Sequence, residues 1–201
     1  YVYELSKALK QLGRQVDIIS GPPYPELIPG IELIKLPGLN LFSTFKFRDR
    51  LDLFLNKKNK SFDDWYEFGS ALLGGFPELQ TFGNRAHSYL LDKTYDVVID
   101  NQSISYGAVK IQDSFPLVEM MHHPISKDYY YDLKFAKGIL QRISKIRWYS
   151  FLKMQKISAK KINVIVTPSV NSKADIHIDF KVPMENIQVI PNGIDCDIFC
   201  P

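Results

Sequence analysis

Two adjacent histidines, His122 and His123, end an apolar run and are followed by Pro124. An imidazole at the end of a buried strand can orient a substrate or move a proton. The proline holds the loop after it extended. Neighbouring side chains on a strand point to opposite faces, so at most one of the two rings faces a cleft. Two other strand-like runs end in uncharged polar groups: Asn101-Gln102-Ser103, and Thr167-Pro168-Ser169 followed by Asn171-Ser172. Amides and hydroxyls of this kind can bind sugar hydroxyls or a phosphate. Asn101, Gln102, Ser103, His123 and Ser169 are therefore candidate substrate-binding residues, with His122 and His123 competing for the place nearest the chemistry.

Other chemistries lack their residues. No third ligand has suitable spacing to join the paired histidines, and His87 and His177 fall in helical patterns, so no metal site is expected. There is no phosphate loop ending in Gly-Lys-Ser/Thr and no Gly-x-Ser-x-Gly nucleophile elbow. Gly74-Gly75 is not preceded by a strand and does not meet the dinucleotide fingerprint. Asp63-Asp64 stands where a helix begins, a place that favours acidic residues without any catalytic purpose. Cys196 and Cys200 lack the spacing of a zinc or redox pair, so neither a structural zinc nor a disulfide framework is expected, and a reducing cytosol fits. No cofactor is expected.

The elements that must position these groups are legible as a rhythm. Strand-like runs recur at 16–20, 31–36, 95–100, 116–121, 164–169 and 187–190, most of them short, β-branched and almost continuously apolar. Such runs suit strands buried on both faces of a parallel sheet. Helical patterns separate them, beginning with Val2, Leu5, Ala8, Leu9 and Leu12 on one face and Gly13 at the cap. The expected fold is α/β, a doubly wound, mainly parallel, Rossmann-like sheet. In such sheets ligands bind beyond the carboxyl ends of the strands, which is where the histidines and amides fall. Residues 40–93 break the rhythm and are expected to form a helical insertion on that ligand edge.

Composition bounds the rest. With 201 residues, 45% apolar and 23% charged, the chain needs no staples for its core. A net charge of +3 gives no global reason to expect nucleic acid. The positive charge is local. From Lys134 to Lys161 there are nine basic residues and no acidic one, interleaved with Phe135, Ile139, Ile143, Ile146, Phe151, Met154 and Ile157 at helical spacing. A basic amphipathic helix suits an anionic membrane surface, with Lys145, Arg147, Trp148 and Lys153 as candidate contacts. The alternative is a core-packed helix whose polar face is cationic. No apolar run approaches the ~20 residues of a membrane span. The expected location is cytoplasmic, peripheral on the inner face of a membrane.

Both ends suggest a piece of a longer α/β protein. A helix that opens at residue 1 and feeds a strand usually follows an earlier strand. At the other end, Val189-Ile190-Pro191-Asn192-Gly193-Ile194-Asp195 runs from a strand into a turn that points onward. Residues 1–190 are expected to form one domain and 191–201 the start of an interdomain linker. Asn192, Gly193 and Asp195 are its candidate hinge, and Gly193 is expected to take a positive φ.

In this order the residues resemble the amino-terminal half of a family 4 glycosyltransferase of the two-domain GT-B architecture. The resemblance rests on Tyr1-Val2-Tyr3-Glu4-Leu5-Ser6-Lys7-Ala8-Leu9, Asp96 to Ser103 with Tyr106-Gly107, His122-His123-Pro124-Ile125, Arg147 to Gln155, Val166-Thr167-Pro168-Ser169, and Pro191 to Asp195 with Phe199 and Pro201. It covers nearly the whole chain, 40–93 least well. It implies transfer of a sugar from a nucleotide-sugar donor to an acceptor hydroxyl, of a glycan or a lipid-linked acceptor, with retention at the anomeric carbon. It implies an acceptor-side domain here, with most of the nucleotide held by a carboxyl-terminal domain missing from this chain. The histidine loop then approaches the transferred sugar, and His122, which directly ends its strand, is the candidate catalytic residue. The first strand and its Gly-rich loop are absent, so this chain alone is expected to be inactive. The rivals are a non-catalytic module docked on anionic lipid and half of another GT-B enzyme, such as an epimerase.

Overall fold

Among the described residues, the short apolar runs form six strands, all in parallel pairs. In the computed structural model, which describes residues 1–44 and 46–194, β1 (Asp17–Ser20) pairs with β2 (Glu32–Lys35). A second sheet has the order β3 (Val98–Asn101), β4 (Leu117–Met120), β5 (Ile165–Thr167), β6 (Ile187–Val189). Asp100 lies opposite Glu119, and Asn101 opposite Met120. Helices carry every connection within this second sheet. They are α5 (Tyr106–Gln112), then α6 (Ser126–Lys134), α7 (Ile139–Trp148) and α8 (Leu152–Ala159), then α9 (Val170–Phe180). The architecture is Rossmann-like α/β.

The sheet is split. β1 and β3 belong to different sheets, and a cavity of about 510 Å³ lies between them, lined by Ile18, Ile19, Val98 and Ile99 among others. Val97 and Ile99 remain exposed on the β3 side. α1 (Val2–Gln11) leads into β1, and Gly13 caps it at a φ of 74°, with its N–H donating to the Lys10 carbonyl. The apolar face of α1 is only half-buried at Val2, Leu5 and Leu9.

The segment expected as an insertion divides in two. α2 (Phe47–Asn56) and α3 (Phe62–Leu72) surround a small core of Leu39, Leu41, Phe54 and Ala71. Asp64 does what helix-start acids do: it receives the Ser61 N–H while Ser61 Oγ receives the Asp64 N–H, a reciprocal cap. α4 (Glu78–Leu90) instead belongs to the main core, to which it gives Ala86 and Leu90. It does so because α4 and α5 meet backbone to backbone: a Cβ on Gly107 would stand 2.1 Å from the Gly83 carbonyl oxygen. Within 40–93, α4 thus packs with the main core, and α2 and α3 pack around the smaller one.

The basic stretch is not one helix. Gly138 (φ 100°) separates α6 from α7, and a 3-10 turn over Tyr149–Phe151 separates α7 from α8. α8 buries Leu152, Met154, Gln155, Ser158 and Ala159, whereas α7 buries nothing. The two helices thus differ: α7 leaves its apolar side chains exposed, and α8 packs into the core.

Candidate functional site

The tips of β3 and β4 meet at His122. Its Nε2 stands 2.9 Å from Asn101 Oδ1, the side chain that ends β3. With that oxygen as acceptor, Nε2 carries the proton and Nδ1 keeps a free lone pair. The ring of Tyr1, at the start of α1, packs edge-on against the imidazole with centroids 4.5 Å apart. Burial lowers the His122 pKa, and His123 pushes the same way, so the ring is neutral near pH 7. From the third side, Ser172 Oγ on α9 donates to the His122 carbonyl at 3.3 Å. One neutral imidazole thus sits at the carboxyl edge of the sheet, flanked by Asn101, Tyr1 and Ser172.

Gln102 holds this histidine from below. Its Oε1 accepts the His122 N–H at 3.1 Å, and its Nε2 donates to the His123 carbonyl at 3.4 Å. The turn that aims Gln102 is unusual: Gln102 and Ile104 have φ of 66° and 48°. Asp100 ties it down by accepting from both the N–H and the hydroxyl of Ser103. Opposite Asp100, Glu119 is wholly buried, and neither carboxyl oxygen has a well-formed hydrogen bond. Burial, and then the charge of Asp100, raise the Glu119 pKa well above the usual range, so it is held protonated. Burial also raises Asp100, against the opposing pull of Ser103.

The candidate binding residues therefore separate. Asn101 is exposed and touches the His122 ring. Gln102 reaches the histidine loop and Ser103 reaches Asp100, so both serve neighbouring groups. His123 turns outward to Asp128 Oδ2 at 3.2 Å. Ser169 caps α9, with its Oγ accepting the Ser172 N–H at 3.0 Å. Its hydroxyl thus serves the start of that helix. Ser172 and Tyr1 were missed as neighbours of His122, since each comes from a distant element. Glu119 was missed because one Glu in Leu-Val-Glu-Met looks like an ordinary outward position. Farther along the cavity, burial and the charge of Glu67 push Glu78 up to about 7, with Arg85 pulling the other way.

The cationic and hinge candidates also change. Lys145 is paired with Asp132 at 2.8 Å, and Trp148 packs on Phe42 and Phe76 with centroids 5.5 and 5.1 Å away. Lys145 is half-buried, and Trp148, Arg147 and Lys153 are exposed. Gly193 is not in the left-handed region, and residues 191–194 form no turn. The Ile190 N–H still donates to the Thr167 carbonyl at 3.0 Å, and Pro191 fixes the next φ, so the chain leaves extended. Asn192 is exposed, and Asp195 lies outside the described residues. Among the described residues no group of three His, Cys, Asp or Glu is placed to hold a metal, and no helix is long and apolar enough to cross a membrane.

This geometry can be set beside known proteins. The chain is 37% identical over 205 residues to the MMP alpha-(1->4)-mannosyltransferase of Mycolicibacterium hassiacum. The alignment takes in all of this chain and 49% of that protein, so the chain spans about half the length of the curated relative it matches. The sequence model of Glycosyltransferase Family 4 matches residues 1–198. With a match over nearly its whole length, from the helix bearing Tyr1 through the His122 loop and beyond β6, the chain belongs to glycosyltransferase family 4.

Proposed function

We propose that this chain is the acceptor-binding half of a retaining hexosyltransferase that moves a sugar from a nucleotide-sugar donor to a hydroxyl of a glycan or lipid-linked acceptor. The observation that carries the reading is the neutral His122 imidazole, held by Asn101 where the strand tips open outward. In transfer, the bond from the anomeric carbon to the phosphate oxygen breaks, and the bond to the acceptor oxygen forms. The acceptor's proton leaves with the nucleoside diphosphate. His122 serves by orientation: its Nδ1 lone pair accepts from a sugar hydroxyl, and the fixed ring dipole meets the positive charge that develops on the sugar. No covalent nucleophile is required of it.

In this reading a parallel strand entering α1 fills the gap between β1 and β3, and a second domain closes over His122 and grips the nucleotide. Residues 1–201 alone then transfer no sugar. The test is release of nucleoside diphosphate by the full-length protein from a panel of nucleotide-hexoses, nucleotide-mannose first, with and without oligosaccharide acceptors. Acceptor-dependent release from one donor supports the reading. Release from none, or robust turnover by residues 1–201 alone, overturns it.

A second reading concerns place, and α7 favours it. Every apolar side chain on α7 is exposed, from Ile139 (74%) and Leu140 (80%) to Ile143 and Ile146, with Lys137, Arg142 and Arg147 beside them. α8 runs back toward the start of β5, so α7, which precedes it, stands toward the ligand edge. A helix of this kind seats on anionic lipid at headgroup depth, next to a lipid-linked acceptor.

A further inference from the structure

The β4 ladder ends at Met121, whose N–H donates to the Val166 carbonyl at 2.8 Å. One residue later, at His122, the neighbouring strand β3 has already turned away, and a side chain takes over its role. The Gln102 carboxamide receives the His122 N–H and donates to the His123 carbonyl. A single planar group thereby brackets the backbone of both histidines. Its reach depends on a turn that the backbone itself disfavours, since Gln102 and the β-branched Ile104 both lie in the left-handed region. Three contacts hold that turn. Asp100 receives the Ser103 N–H at 3.2 Å and the Ser103 hydroxyl, Gln155 Nε2 donates to the Ser103 carbonyl at 3.4 Å, and the Ile104 side chain is buried in the main core.

We propose that Gln102 is a positioning residue for His122: the strained turn aims its carboxamide so that the imidazole is presented at one height and angle to the transferred sugar. Strain stored beside a functional group, and retained by surrounding contacts, is what such a role requires. The proposal rests on the reading of His122 as the sugar-facing group. Gln102 does not touch substrate; it acts through the histidine backbone.

Gln102→Asn in the full-length protein tests it. Asparagine accepts the left-handed backbone well but is one methylene too short to bracket the loop. Three quantities are measured: amide hydrogen exchange over residues 120–124, the Tm, and kcat and KM for the donor that supports turnover. The expected result is exchange at least about tenfold faster at His122, from the loss of one hydrogen bond. The Tm is expected not to fall. The rate at saturating donor is expected to drop about tenfold with the donor KM nearly unchanged, as when geometry alone is lost. Gln102→Glu keeps an acceptor for the His122 N–H but sets an oxygen against the His123 carbonyl, so it restores part of the protection and part of the rate.

Unchanged exchange at His122 overturns the proposal. So does faster exchange with an unchanged rate, or a lower Tm with exchange rising throughout the domain, which makes Gln102 merely structural. If the wild-type protein releases diphosphate from no nucleotide-sugar, the functional reading fails by itself, and exchange at His122 still decides whether the carboxamide fixes the loop.

Discussion

Glu119→Gln isolates the most unusual electrostatic feature of the sheet. The side chain is wholly buried, both of its oxygens lack well-formed hydrogen bonds, and Asp100 lies directly across the β3–β4 pair. Burial first, and the charge of Asp100 second, raise its pKa well above the ordinary value. Unfolded, the same carboxyl releases its proton near pH ~4.3. Between that pH and the raised folded value, the unfolded state is favoured by ionising while the folded state stays protonated. The contribution of this group to stability is therefore fully present at acid pH and is lost as pH rises. The loss amounts to about 1.4 kcal/mol for each pH unit crossed. Glutamine has the same shape and no proton to lose. The variant should gain on wild type with that slope until the folded Glu119 ionises, where the difference levels off. Asp100 titrates in both proteins, so the difference reports Glu119 together with its coupling to Asp100. Urea midpoints of the 201-residue chain, taken in small steps from about pH 4 to pH 8, read this out. Curves that run parallel across the range would refute it, because Glu119 would then be hydrated or neutralised by a cation.

Gly107→Ala places a methyl 2.1 Å from the Gly83 oxygen and 2.2 Å from its carbonyl carbon, backbone atoms that cannot swing aside. It should cost about 2–4 kcal/mol by urea denaturation, and a loss below about 0.5 kcal/mol would mean that α4 and α5 do not cross as described. On α7 and α8, charge reversal at Arg142, Arg147 and Lys153 together should abolish flotation of the full-length protein with vesicles containing phosphatidylserine. Each basic residue near such a surface contributes about 1 kcal/mol, and unchanged flotation would discard the lipid reading.

Much of the fold was legible because parallel strands advertise themselves. Runs such as Val164-Ile165-Val166 and Leu117-Val118 are rich in apolar, mostly β-branched residues, and among the described residues five of the six strands lie inside the run expected for them, while β3 passes its run by one residue at Asn101. Ser61-Phe62-Asp63-Asp64 gave the start of α3 by its capping chemistry. What stayed hidden depends on distance in sequence. Nothing local says that Gly83 and Gly107 touch, so α4 looked like part of an insertion. The break at Tyr149–Phe151 carries no Gly or Pro, so an unbroken apolar stripe concealed two helices with opposite fates. At the site, strand ends pointed to His122 and Asn101, because ligand edges collect such residues. The tasks of Gln102 and Ser103 were not legible, because each serves a neighbour whose position only the fold decides.

The central claim is that His122 orients the transferred sugar, and His122→Ala in the full-length protein tests it most directly. With donor at saturation, the initial rate of acceptor-dependent diphosphate release should fall about a hundredfold while the Tm is held. A rate that stays near that of the wild type would contradict the claim and leave the strand tips of β3 and β4 without a part in transfer.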